Sequence, residues 1–317
     1  MLGTSLQIFI FAFAGTAIFC IFMVRIYLRI LETKKYAQGY DVRGIKAYNR
    51  QSSALNTCIQ SLASFDDLID YLKKSQLKEN SITKLIYKFI EQIKKNGFPV
   101  QNKMFYERIM EYFHEKKIFF EDNSSFSANL YIAIVNQLFK EEMEDRMLFF
   151  ERLDELSYKE YCQIVDCSTI FELFGLGYFD KNYKITFKIL TLAIKNIQHT
   201  INLLINQPNK DLQPRYLHHP KILIFSFNQT FFTKETFDLK TNLEIKFKSL
   251  YLLKSVGFIT FGEKNKSFFR CVSRRNGFFY LFDDTYVSIE NDSERFVSDG
   301  MINFVVYEKM LENCNLK

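Results

Sequence analysis

The sequence predicts an α+β chain: one transmembrane helix at the N-terminus, then a helical first half and an antiparallel sheet in the second half. Three observations predict it. Residues 2–24 carry no charge and are almost wholly apolar from Ile8 onward. Between residues 52 and 160 apolar side chains recur at the i, i+3, i+4, i+7 spacing of amphipathic helices. Beyond about residue 168 short alternating runs take over, and Asn276-Gly277 stands between two of them as a hairpin turn signal.

The elements follow in order. About 20 apolar residues at a 1.5 Å rise cross a hydrocarbon core of ~30 Å, and the first segment just reaches that length. A secretory signal would place charge ahead of the apolar run. Residues 1–7 carry none, while Arg25, Arg29, Lys34, Lys35, Arg43, Lys46 and Arg50 come after it. Residues 1–30 therefore read as a retained single-pass anchor in a lipid bilayer. The positive-inside bias puts the rest of the chain on the cytosolic or matrix-equivalent side. Residues 31–43 read as a basic linker and 44–312 as the folded domain. Within it, Ile82, Leu85, Ile86, Phe89, Ile90 and Ile93 mark one helix that Gly97 and Pro99 close, with further helices expected over 102–117 and 128–150. Strands are expected over 221–227, 244–253, 255–262, 268–274 and 277–282.

Composition narrows the function. The chain has 317 residues, enough to bury a sizeable core, and a net charge of only +6. So small an excess gives no support to nucleic-acid binding, which needs a concentrated basic face. The 35 Phe and the absence of Trp fit the residue usage of an AT-rich coding sequence, so the phenylalanines do not by themselves mark a binding surface. Cys20, Cys58, Cys162, Cys167, Cys271 and Cys314 include no CxxC pair and read as core thiols, with neither a disulfide framework nor a metal site expected. No cofactor is expected either, since the basic pairs Lys94-Lys95 and Arg274-Arg275 have no glycine-rich loop beside them. Glu141, Glu142, Glu144 and Asp145 read as a solvated acidic face.

Three stretches, taken in order, carry a resemblance. Residues 50–62, RQSSALNTCIQSL, follow Gly44-Ile45, and their Asn56, Thr57, Ile59, Gln60 and Leu62 fit a nucleophile-bearing helix. Residues 217–227, LHHPKILIFSF, fit a Leu-Pro-rich strand, with Gln229 where an Arg is usual. Residues 267–287, SFFRCVSRRNGFFYLFDDTYV, fit a strand pair that ends in Asp-Asp. Residues 170–204 fit the base of a fingers segment. Together they resemble the papain-like ubiquitin-specific proteases over residues 44 to about 310. The resemblance implies a helical lobe feeding an antiparallel sheet, with a catalytic triad at their junction.

The departures from that family are as informative. In this register Ser53 holds the nucleophile position, Phe268 the general-base position and Asp284 that of the orienting acid. Ser267 and Phe269 replace the flanking Gly and Tyr, and Gln51 stands where an Asn usually supports the oxyanion. The two CxxC pairs usual in the fingers are absent. Thiol protease chemistry needs a thiolate raised by an imidazole that a third group holds in place. A serine with no base has almost no alkoxide at neutral pH, and a phenyl ring accepts no proton. The triad therefore reads as vestigial. A rival register takes Cys58, within Asn56-Thr57-Cys58, as the nucleophile. It loses the downstream matches and still meets Phe268.

His218 and His219 stand at the start of another strand and read as a turn or sheet-edge pair, while His114 and His199 read as surface or packed residues. The expected protein is an inert ubiquitin-protease-like domain on a membrane helix. Its layout is similar to that of the family's mitochondrial membrane-anchored member. That likeness implies an accessory structural subunit of a mitochondrial inner-membrane complex, such as a respiratory-chain complex or ATP synthase, with other subunits as partners. Ubiquitin binding is disfavoured because Phe268 and Phe269 would crowd the tail channel. The alternative is an outer-membrane deubiquitinase using Cys58 or Ser53 with His218 or His219.

Overall fold

The computed structural model describes residues 20–25, 42–75, 79–95, 97–121, 126–147, 168–174, 177–179, 185–187, 190–192, 220–227, 244–247, 249–261, 267–290 and 300–310. Most of the expected anchor and linker lies outside these residues. Residues 20–25 are helical, with Ile21, Phe22, Met23 and Val24 exposed. Among the described residues no helix is long and apolar enough to cross a membrane. Packing of the domain begins at Val42, which is buried.

The first half is helical, as its periodicity predicts. A short strand β1 (Ile45–Lys46) leads into α1 (Arg50–Leu62), α2 (Asp66–Lys74) and α3 (Ile82–Lys94). Strand β2 (Val100–Gln101) returns parallel to β1, and α4 (Lys103–Glu115), α5 (Phe126–Met147) and α6 (Thr169–Phe174) follow. Local chemistry sets the helix starts. Asn49 and Ser52 form a reciprocal capping box at α1, and the Ser81 hydroxyl accepts from the Lys84 amide at α3.

The second half supplies strands β3 (Gly177–Phe179), β4 (Ile185–Phe187), β5 (Leu190–Leu192), β6 (Ile222–Phe227), β7 (Glu244–Phe247) and β8 (Ser249–Phe261). Strands β9 (Ser267–Arg275), β10 (Phe278–Asp283), β11 (Tyr286–Glu290) and β12 (Gly300–Lys309) complete it. Strands β3 and β4 form a separate hairpin, and the remaining strands from β5 onward build an eight-stranded sheet ordered β11-β10-β9-β8-β12-β6-β5, with β7 also paired to β8. All its pairings are antiparallel except that of β5 with β6. The Asn276-Gly277 turn forms as expected, both residues at positive φ (49° and 85°), the signature of a type I′ hairpin. The two runs expected over 244–253 and 255–262 divide differently. The chain folds back between Phe247 and Ser249, and β8 then continues unbroken to Phe261.

The helices cover one face of the sheet. The main core joins α1 through α6 to Ile222, Ile224, Ile259, Phe269, Phe304 and Val306. Two sequence features make the close approach possible. Gly257 has no Cβ to meet the ring of Phe304, which lies against it from the paired strand. Asn303 sits in a bulge of β12 and is buried, and its side-chain oxygen accepts from the Ala128 amide at the start of α5.

The acidic cluster of α5 is a correction to the sequence reading, because two of its residues are structural. The Glu141 carboxylate accepts from the Ile82 and Thr83 amides at the open end of α3 (2.8 and 3.0 Å) and from the Tyr112 hydroxyl. The Glu142 carboxylate accepts from the Ser168 hydroxyl and from the Thr169 and Ile170 amides at the start of α6. Adjacent residues on a helix diverge by about 100°, so one acidic pair caps two helices on different sides.

Candidate vestigial active site

Helix α1 is buried from Ser52 to its end, although many of its residues are polar. Ser53, Asn56 and Gln60 recur at i, i+3 and i+7 and share a face. Each reaches a different part of the surrounding structure. Ser53 Oγ donates to the main-chain carbonyl of Phe269 at 3.0 Å. Asn56 Nδ2 donates to the Ile45 carbonyl and to Asp284 Oδ1, both at 3.0 Å. Gln60 Nε2 donates to the Arg43 carbonyl, and Gln60 Oε1 accepts from Arg275 Nη2 at 2.7 Å. Asn102, just before α4, completes the network by donating to Asn56 Oδ1 at 2.6 Å and to the Ser52 carbonyl.

Asp284 is held from two sides. It takes a left-handed φ of 48° in the turn between β10 and β11, which Asp tolerates. Its carbonyl accepts from the Ile45 amide at 2.8 Å. Burial raises its carboxyl above the ordinary value, opposed by the hydrogen bond from Asn56. Gly44 explains the spacing upstream, because a Cβ there would run into the backbone of Asp284 and Thr285.

Ser53 and Asp284 thus converge at the start of α1. Phe268 does not face them. Its side chain is 41% exposed, whereas Phe269 is 1% exposed, part of the main core, with the Arg50 guanidinium 5.3 Å above its ring. Alternation along β9 puts the two side chains on opposite faces, and the ring on the α1 side is that of Phe269. On the Phe268 face Arg270 pairs with Asp283 at 2.7 Å. Gln51 accepts from the Tyr106 hydroxyl at 2.6 Å.

Cys58 lies one turn beyond this cluster in the helix interior. Its thiol contacts the Ser127 carbonyl at 3.2 Å, and burial pushes it well above the ordinary thiol value. His114 is exposed, edge-on to Phe119. His199, His218 and His219 lie outside the described residues, as do Ser267's side chain and Gln229. Among the described residues no cluster of His, Cys, Asp or Glu could hold a metal ion.

The arrangement has a hydroxyl committed to a main-chain carbonyl and a carboxyl that accepts from a side-chain amide. Sequence reasoning missed Asn102, whose role depends on a contact 46 residues away in the chain. It also missed Arg275. The Arg274-Arg275 pair splits across β9, and Arg275 is buried, with Nη2 donating to the Gln60 carbonyl as well as to its side chain. Its Nε and Nη1 have no hydrogen-bond partner among the described residues, and burial lowers its pKa to about 10.

No protein-family model matches the chain, and no curated protein matches it at the level of sequence. Solved structures do. The structure of the Ubp8-Sgf11-Sgf73-Sus1 SAGA DUB module matches with a TM-score of 0.55 at 10% identity, over 86% of this chain and 68% of that one. The Saccharomyces cerevisiae PAN2 pseudoubiquitin-hydrolase matches with a TM-score of 0.54 at 10% identity, over 86% and 88%. The Saccharomyces cerevisiae Pan2 pseudoubiquitin hydrolase-RNA exonuclease module matches with a TM-score of 0.59 at 12% identity, over 86% and 55%. At these identities the likeness is one of fold: the chain has a ubiquitin-hydrolase-like fold.

Proposed function

We propose that this protein is a catalytically inert ubiquitin-hydrolase-like domain that acts through protein contacts, tethered to a membrane by its N-terminal apolar segment. The observation that carries this reading is the Ser53–Phe269 hydrogen bond. It holds the hydroxyl at the vestigial nucleophile position inside the core, 1% exposed, with its proton given to a main-chain carbonyl. Acyl transfer needs a nucleophile that substrate can reach and a base within about 3 Å of it. Neither Ser53 nor Cys58 meets both conditions.

The comparisons add support of a coarser kind. One of the similar structures is described as a pseudoubiquitin hydrolase, and another is a multi-protein DUB module. By analogy with such assemblies, partner proteins are the expected ligands here. The exposed apolar side chains of residues 21–24 suit a lipid-facing helical turn. On the resemblance in layout, we place the protein in the mitochondrial inner membrane, as an accessory structural subunit of a respiratory-chain complex or ATP synthase.

The test has two arms. The tagged protein is purified from mildly solubilised mitochondria, and its partners and stoichiometry are read by native gel and mass spectrometry. The same preparation is treated with an electrophilic ubiquitin probe. Co-migration with an inner-membrane complex in fixed ratio and no adduct is the expected result. A probe adduct on Cys58 or Ser53 would sink the inert reading, and migration alone would sink the assignment to a complex.

A further inference from the structure

The place where the chain enters the domain carries a surface of its own. Residues 43–48 and 97–103 run side by side there. The Arg43 guanidinium lies where a Cβ of Gly97 would be, and Ile45 and Lys46 pair in parallel with Val100 and Gln101. Farther along, Lys103 Nζ sits 5.2 Å from the Tyr48 ring. Three large apolar side chains on this ribbon face solvent: Tyr48 is 56% exposed, Phe98 56% and Met104 69%. A single exposed apolar residue is ordinary, but three gathered on two adjoining segments form a patch. Exposed Lys46, Lys95 and Lys103 stand among them. Glu107 is the i,i+4 partner of Lys103 at 3.9 Å, and with both side chains more than half exposed the pair neutralises little.

We infer that this ribbon docks the domain onto the surface of an anionic bilayer. Tyr48, Phe98 and Met104 rest in the headgroup boundary, and the three lysines meet the anionic headgroups. The inference rests on the membrane tether proposed above. Val42, the first buried residue of the domain, follows Val24 by 18 residues, a reach of at most about 60 Å when fully extended. The ribbon is therefore the part of the domain that the tether joins to the bilayer most directly. Tethering makes the contact intramolecular, so a patch too weak to hold a free protein suffices. Composition selects lipid over a protein partner. Lysine is depleted at protein interfaces, whereas Tyr with Lys around small apolar wedges suits the headgroup region. The ribbon is also rigidly placed, because the Ile45 amide donates to the Asp284 carbonyl and the Val100 amide to the Gly44 carbonyl.

The chain has no Trp, so one introduced indole reports its own surroundings. The full chain carrying Phe98→Trp, or in a second variant Met104→Trp, is reconstituted in vesicles of phosphatidylcholine and phosphatidylserine. Quenching by lipids brominated on the acyl chain is then measured. Phe119→Trp is the control, at an exposed position beyond the far end of α4, about 18 Å along that helix. The bromolipid is expected to quench at positions 98 and 104 and to spare position 119, with the quenching lost in phosphatidylcholine alone. Lys46→Gln combined with Lys103→Gln should shift docking about fivefold per lysine, read as lost quenching. Equal quenching at all three positions, no quenching at either 98 or 104, or quenching indifferent to phosphatidylserine would each overturn the inference. Resistance to alkaline carbonate extraction reads the tether separately. An anchored chain unquenched at 98 and 104 loses the docking face alone, and an extractable chain quenched there loses the tether alone.

Discussion

The Ser53 hydroxyl and the Phe269 carbonyl, 3.0 Å apart and 216 residues apart in the chain, tie α1 to β9, an interior strand of the sheet. The junction is bridged by hydrogen bonds from one helix face, those of Ser53, Asn56 and Gln60.

Because that hydroxyl is structural, Ser53→Ala should lower stability by about 1 kcal/mol, the net value of one buried hydrogen bond. Urea unfolding would measure it. Ser53→Cys should introduce a thiol without creating reactivity toward an electrophilic ubiquitin probe, since among the described residues no imidazole lies beside it to raise its thiolate. Labelling of the introduced thiol would show that a base reaches the site.

Asp284 predicts a pH signature. Its carboxyl is raised above the ordinary 3.8, so the unfolded chain ionises first as pH increases. From that value upward the native state holds the proton longer, and this residue's contribution to stability falls with rising pH. Asp284→Asn keeps an oxygen for Asn56 and removes the titration. The difference in unfolding free energy between variant and native protein should therefore move in the variant's favour as pH climbs from about 4 through the raised value. A difference flat across that range would mean the carboxyl is not perturbed by burial.

Arg275 is a buried cation with no carboxylate in ion-pair contact among the described residues, its guanidinium 4.8 Å from the Phe282 ring. Replacing such a group by an apolar side chain of similar length removes a desolvation cost. Arg275→Met nonetheless leaves the buried Gln60 carbonyl and side-chain oxygen without their donor, and is expected to lower stability by about 1 kcal/mol. Arg275→Ala, which also opens a cavity, should lower it by about 2–4 kcal/mol. Thermal unfolding of the two variants side by side separates charge from packing.

Glu142 joins α5 to α6 through three hydrogen bonds. Glu142→Ala leaves two helix-start amides without their acceptor and should cost about 2–3 kcal/mol. Amide hydrogen exchange should show the loss first at Thr169 and Ile170. If exchange there is unchanged, the carboxylate is not the cap.

Much of the architecture was legible in the chain itself. The helix of residues 82–94 and the Asn276-Gly277 hairpin depend on local periodicity and turn chemistry, which a linear sequence displays directly. Ser53, Asn56 and Gln60 are also legible as one surface, because residues at i, i+3 and i+7 share a helix face whatever surrounds it.

What the sequence determined about this protein was its order of helices and strands and its apolar N-terminus. The tertiary structure alone decided how the charged and polar groups are used. Glu141 and Glu142 read as solvent-facing until the ends of α3 and α6 arrived beside them, and Arg275 read as half of a short basic pair until β9 turned it under α1. It also decided that Phe269, rather than Phe268, turns its ring into the core beside Arg50 of α1. The reason is physical: a side chain's periodicity is set by its neighbours in sequence, but its hydrogen-bond partners and its solvent are set by residues tens or hundreds of positions away.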